Sequence, residues 1–487
     1  MADKFNGVLL HVASLPSEFG IGALSDSALS FVDFLADAGV DYWQVLPLSP
    51  TSFGDSPYQS PSAFAGNPYF IDINTLVKRG LLTNDEAQSA KTDRLNYEWL
   101  FSTRLDIFRT AFSRFVPDTA YFDFLEDNKF WIDDYALFMA LKVKNGFSSF
   151  DKWRDDEKFH QKLSAEKIAT LNKEADFWRF LQFEFHREMS DLVGYARSKN
   201  VALIGDIPIY VAYDSADVWA HPEIFCLDKD LRPVEVAGVP PDYFSENGQL
   251  WGNPLYRWNV QKKDGFSWWH NRLQKQLQYF DKIRIDHFRA FESFYCVPKC
   301  ATSAKIGRWA KGVGKAVFKG LDLQDRIIAE DLGIITDSVR RLVKSCGFPG
   351  MRVLQFAFDG SPANEHLPKN VRYNTVFYTG THDNDTLKGW FDSLDVGAKN
   401  YVTRALNATE KNVLDKAISA VMRSRAKLAV VPMQDYLGEG SDARMNTPGT
   451  DVGNWMYVLP KNYQIAKDRI RKFNKSRCAE RRNHEKQ

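Results

Sequence analysis

The chain has 487 residues and a net charge of +1, with 63 Lys and Arg against 62 Asp and Glu. That balance offers no basic field for a nucleic acid or an anionic membrane. An apolar content of 44% and a charged content of 26% exclude a disordered or fibrous chain. The 13 Trp, 19 Tyr and 36 Phe suit a large core, and they also suit ligands with apolar CH faces. The five cysteines, Cys226, Cys296, Cys300, Cys346 and Cys478, form no CxxC pair and no even framework. They point to a reducing compartment and away from a zinc knuckle. No signal-peptide layout follows the first residues, and no apolar run approaches the length of a membrane span.

In chain order, eight short apolar runs read as strands: Val8–Leu15, Tyr42–Leu48, Val201–Tyr210, Phe280–His287, Arg326–Glu330, Arg352–Phe358, Thr375–Thr379 and Leu428–Met433. Continuous apolar strands are buried on both faces, as in parallel sheets. Helical spacing fits between several of them, as in Ser25–Ala38, which ends at Gly39, and in Phe177–Lys199. The expected fold class is α/β, a (β/α)8 TIM barrel with helical and loop insertions at its C-terminal face and no C-terminal β-sandwich. The whole chain, 1–487, is expected to be one catalytic barrel. An inserted subdomain occupies 50–175, with helix-like spacing over Trp131–Lys142. A second insertion spans 211–275, and its segment 238–253 reads as an irregular lid, rich in Gly and Pro. The basic run 467–487 reads as a solvated helix or frayed tail.

Carboxylates sit at the predicted strand ends: Asp206, Asp286, Glu330 with Asp331, and Asp383. A lone one is ordinarily a helix cap. Several at equivalent ends of a barrel converge on one pocket and perturb one another's pKa. Glycosyl transfer needs such a set: one carboxylate to attack the anomeric carbon, and one carboxylic acid to protonate the leaving oxygen. Arg284 precedes Asp286 by two residues and shares its face of the strand, where it favours the ionised form. His382 can donate to a sugar hydroxyl.

The segments Gly205–Tyr210 (GDIPIY), Lys282–Arg289 (KIRIDHFR), Ala329–Gly333 (AEDLG) and Thr379–Asp385 (TGTHDND) resemble the signature segments of the α-amylase superfamily. Their wording is similar to that of the 4-α-glucanotransferases, the amylomaltase or disproportionating-enzyme family 77 of glycoside hydrolases. SPYQS at 56–60, GVPPDYFS at 238–245, QLWGNP at 249–254, RMNTPGT at 444–450 and GNW at 453–455 extend the resemblance over nearly the whole chain. It implies a retaining 4-α-glucanotransferase of maltodextrin, starch and glycogen-derived α-glucans. Asp286 would be its nucleophile, Glu330 its acid/base and Asp383 its transition-state stabiliser.

By the same resemblance Tyr58, Asp206, Asp242, Phe244, Trp251, Arg284, His382 and Asn454 bind substrate, and Phe53 replaces a tyrosine that some members use at a second glucan site. No cofactor and no metal are expected, because the segment carrying the amylase calcium ligand reads Asp-Ile-Pro-Ile-Tyr here. The location implied is cytoplasmic, with a mature plastid form left open. Three other readings remain: an α-1,4-glucan hydrolase using water as acceptor, a magnesium-dependent lyase on the same barrel, and a non-catalytic glycan-binding protein. Fold alone decides none of them.

Overall fold

The computed structural model describes residues 4–51, 55–241, 246–450 and 452–484. Among the described residues, twelve strands are named in chain order. Eight of them close a parallel barrel: β1 (Phe5–Leu9), β2 (Tyr42–Gln44), β3 (Ala202–Ile207), β6 (Lys282–Ile285), β9 (Ile327–Ala329), β10 (Gly350–Val353), β11 (Thr375–Tyr378) and β12 (Leu428–Pro432). Each neighbour in that series pairs in parallel, and β12 returns to β1. All eight lie within or beside the runs read from the sequence. No helix among the described residues is long and apolar enough to cross a membrane.

Two strand positions differ from the sequence reading. The run Val8–Leu15 is paired only to Leu9, and Val12–Ser14 forms a 3-10 turn. Its apolar character continues because the turn is buried: Trp43 donates its indole N–H to the Leu10 carbonyl at 2.8 Å, and Leu459 N–H donates to Ser14 O at 2.7 Å. Likewise Arg352–Phe358 begins as strand β10 at Gly350 and turns into a 3-10 helix over Leu354–Ala357. Apolarity reports burial, and it does not separate a strand from a buried turn.

Between β2 and β3 the chain is helical, with Tyr97–Arg114, Thr119–Asp127, Ile132–Lys144 and the 34-residue helix Ala165–Ser198. Side chains start these helices: Asn96 accepts from Trp99 N–H, and Ser164 accepts from Lys167 N–H. The last of them delivers the chain to β3. On the return side of the barrel, Thr336 caps Asp337–Cys346, and Gly347, at φ 76°, ends it in the left-handed region that glycine adopts without strain.

The segment 238–253, expected to be an irregular lid, is strand at both of its ends. Its two ends are β4 (Glu235–Val239) and β5 (Gln249–Pro254), an antiparallel pair with a register shift between Val236 and Gly238. A Cβ at Gly248 (φ 66°) would stand 2.4 Å from Val239 O, so the start of β5 approaches the end of β4 this closely only with glycine there. The sheet is completed by β7 (Ser293–Pro298) and β8 (Arg308–Lys311), in the order β5-β4-β7-β8. Those two strands lie beyond the 211–275 insertion and were not anticipated. The resulting β-arm draws β4 and β5 from the connection between β3 and β6, and β7 and β8 from that between β6 and β9.

The basic C-terminal run is also more than a solvated tail. Lys467–His484 is a helix, and Arg477 within it is fully buried. Its guanidinium donates to the carbonyls of Phe5, Met422 and Ala426, which fastens the helix to the N-terminal end of the barrel.

Candidate active site

Register brings the first pair together. Asp206 on β3 lies opposite Arg284 on β6, so in adjacent parallel strands both side chains take the same face. Both are almost fully buried, and Arg284 Nη1 donates to both Asp206 oxygens, at 2.9 and 2.7 Å. The other terminal nitrogen, Nη2, donates to Asp286 Oδ1 at 2.7 Å. Asp286 stands just past the end of β6 and is about a third exposed (31%) where Arg284 is not (4%). The guanidinium therefore spans a buried carboxylate and an accessible one. Burial opposes its charge, but the two carboxylates hold its pKa well above the ordinary arginine value.

Glu330 follows β9 and is buried. Its Oε2 accepts from His287 N–H and its Oε1 from Leu332 N–H, each at 2.7 Å. Burial, and then the negative charge of Asp286, push its carboxyl up to about 8, against the opposing pull of Arg284 and the Leu332 N–H. Burial and Asp286 thus favour the protonated form of Glu330 beside a carboxylate that is tied to an arginine. His287, whose N–H holds Glu330, has φ 51° and a ring that burial lowers to about 3, so its imidazole is neutral.

Asp383 lies in the loop after β11. Its Oδ1 accepts from Asn446 Nδ2 at 2.6 Å and stands 3.3 Å from His382 Nε2, while its backbone carbonyl accepts from Arg444 at 2.7 Å. Tyr58 stacks on His382, with centroids 5.2 Å apart and an interplanar angle of 16°, and donates its hydroxyl to Asp206 Oδ2 at 2.8 Å. Trp455 leans on both rings. Two groups, Asp206–Arg284–Asp286 and His382–Asp383–Asn446, are joined through Tyr58.

Trp251 is on β5, half-buried, edge-on to the His287 ring at 4.8 Å, and its indole N–H donates to Gln249 Oε1. It lines a cleft of about 1630 Å³ whose walls also include Ser56, Tyr97, Tyr135, Leu250, Asn446 and Trp455. Asn454 borders the same cleft but is not part of the carboxylate group. Its amide is used within its own loop, accepting from Thr447 N–H and donating to Thr450. Asp242, Phe244 and Phe53 lie outside the described residues.

Three residues at the site had not been singled out: Asn446, Trp455 and His287. Asn446 and Trp455 sit in the RMNTPGT and GNW motifs, and His287 follows Asp286 in KIRIDHFR, so their motifs carried the signal without assigning the residue. Among the described residues, no group of three or more His, Cys, Asp and Glu is arranged to hold a metal ion.

This arrangement matches known proteins over almost the whole chain. Residues 10–462 match the glycoside hydrolase 77 family, described as 4-alpha-glucanotransferase. The chain is 44% identical to the 4-alpha-glucanotransferase of Clostridium butyricum over 470 residues, covering 93% of this chain and 96% of the relative. It is 45% identical to that of Thermus thermophilus over 470 residues, covering 93% and 94%. The solved amylomaltase of Streptococcus agalactiae, in complex with acarbose, superposes with a TM-score of 0.93 at 35% identity, covering 98% of this chain and 99% of that one. On these grounds the chain belongs to the 4-alpha-glucanotransferase (amylomaltase) family, enzymes built on a TIM barrel that act on α-glucans.

Proposed function

We propose that this enzyme transfers α-1,4-glucan segments between maltodextrins, including those released from starch or glycogen, by double displacement through Asp286. The observation that carries this reading is the pairing of a proton-bearing Glu330, raised to about 8, with an Asp286 carboxylate bonded to the buried Arg284. Asp286 attacks C1 of the donor sugar. The C1–O4 bond breaks, its electron pair stays on the leaving oxygen, and that oxygen takes the Glu330 proton. The result is a β-glycosyl ester on Asp286 and a free shortened glucan.

Ester formation removes the Asp286 charge that helped to raise Glu330. The Glu330 pKa then falls, which suits its second task of accepting the proton of the incoming 4-hydroxyl. As that oxygen attacks C1, the ester bond breaks and the Asp286 carboxylate is regenerated. Two inversions give retention. Asp383, braced by Asn446 and His382, faces the positive charge that develops on the ring, and Asp206, Arg284 and Tyr58 shape the pocket of the transferred sugar.

Tyr97 and Tyr135, from the connection after β2, and Trp251, on β5, line a cleft, and Trp251 packs against His287, whose N–H holds Glu330. Excluding water there favours a sugar acceptor. The test is incubation with maltotriose followed by chromatography. Glucose together with a ladder of longer maltodextrins supports transfer; maltose and glucose without longer products overturn it in favour of hydrolysis.

A further inference from the structure

A second tryptophan, this one exposed, is tied to the same short segment that holds Glu330. Within residues 287–289, His287 N–H donates to the Glu330 side chain and Phe288 N–H donates to the Glu330 carbonyl at 3.1 Å. The next residue, Arg289, is buried, donates to the carbonyl of Ile334 in the loop that follows Glu330, and places its guanidinium carbon 3.9 Å from the centroid of Trp309. Trp309 lies on the arm's edge strand β8. Tyr295 closes one side of it edge-on at 5.1 Å, yet Trp309 remains 41% exposed. The register Leu250–Gly238–Tyr295–Trp309 places it in one cross-strand row with Leu250, itself exposed and lining the cleft.

The plain structural use of Trp309 is to cover Arg289 at the edge of the sheet. That use explains one face of the indole. It leaves unexplained why Trp309 stays 41% exposed while Arg289 ties it to the loop that follows Glu330. An indole held rigidly from behind by a cation and from the side by a tyrosine is a preformed platform for an apolar CH face, the surface that α-linked glucose units present.

We infer that Trp309 is an acceptor-side stacking platform, which binds a glucose unit beyond the one that receives the new bond and so makes the enzyme prefer longer acceptors. The side follows from Glu330, which serves the leaving and incoming oxygen, so the inference rests on the reading of Glu330 given above.

The test uses the full-length enzyme with α-maltotriosyl fluoride as donor and glucose, maltose or maltotriose as acceptor. Trp309→Ala is expected to raise KM for maltotriose as acceptor by about tenfold while raising that for glucose less than twofold. Trp309→Phe, which keeps a ring face, should recover most of the loss. Trp309→Leu keeps apolar bulk without a flat face and should behave as Trp309→Ala; it carries the test if the alanine variant does not fold. Equal rises for glucose and maltotriose, or no rise for either, would overturn the inference. Failure of the underlying reading shows elsewhere: Glu330→Gln would then pass the glycosyl group to acceptors at the wild-type rate, whatever the Trp309 variants do.

Discussion

Arg284 and Asp286 are two residues apart, and the buried guanidinium of the first donates to the partly exposed carboxylate of the second at 2.7 Å. The same guanidinium is gripped from behind by Asp206 through both carboxylate oxygens. A lysine has no planar fork to satisfy both carboxylates at once. Arg284→Lys is therefore expected to lower kcat/KM on maltotriose by about 10²-fold or more. Arg284→Met, which leaves two carboxylates unpaired, should also cost about 3–5 kcal/mol of stability in urea denaturation. Near-normal kinetics in Arg284→Lys would show that one point charge suffices.

The raised Glu330 carboxyl sets a pH limit. The group is raised to about 8 by burial and by Asp286, so its acid form dominates below that pH and is lost as pH climbs through it. The pH profile of kcat/KM for the donor should fall on the alkaline side with a midpoint near 8. A profile flat to pH 10, measured with buffers overlapping at each step, would remove Glu330 as the general acid.

On the function proposed above, the arm contributes acceptor selection. Trp251 touches the His287 ring, and His287 N–H holds Glu330. Removing the indole should weaken acceptor binding by about 1–2 kcal/mol, roughly 5- to 30-fold. Trp251→Ala is expected to lower the ratio of transfer to hydrolysis more than it lowers total bond cleavage. The count of new reducing ends beside the maltodextrin ladder measures both, and an unchanged ratio leaves Trp251 a packing residue.

The site carboxylates are already engaged by protein donors: Asp206 and Asp286 by Arg284, Glu330 by two backbone N–H groups, and Asp383 by Asn446. Full activity is expected after exhaustive dialysis against EDTA. Loss that returns with calcium or magnesium would require metal ligands that this arrangement does not identify.

Much of this was legible in the sequence. All eight barrel strands were visible as apolar runs, because strands buried on both faces carry little else. The catalytic candidates were legible because parallel strands place their last residues at one end of the barrel, where Asp206, Asp286, Glu330 and Asp383 gather. What was missed depended on partners distant in sequence. β8 reads Arg-Trp-Ala-Lys, an exposed edge with no buried alternation, and only its pairing with β7 makes it a strand. The pairing of β4 with β5 was hidden by the Gly and Pro residues of segment 238–253, which read as an irregular loop. Arg477 looked like one more solvated cation, and its burial is explained only by three carbonyls lent by residues more than 50 positions away. Asn454 lines the cleft, and its amide also braces its own loop.

The central claim is a covalent ester on Asp286, and its most direct measurement is to trap it. Glu330→Gln incubated with α-maltotriosyl fluoride should form the ester, since fluoride leaves without a proton, and then resolve it slowly for want of a base. Mass spectrometry of the intact protein should show the added maltotriosyl unit, and peptide mapping should place it on Asp286. An adduct on another residue, or consumption of the fluoride with no adduct and release of the inverted anomer, would contradict the account.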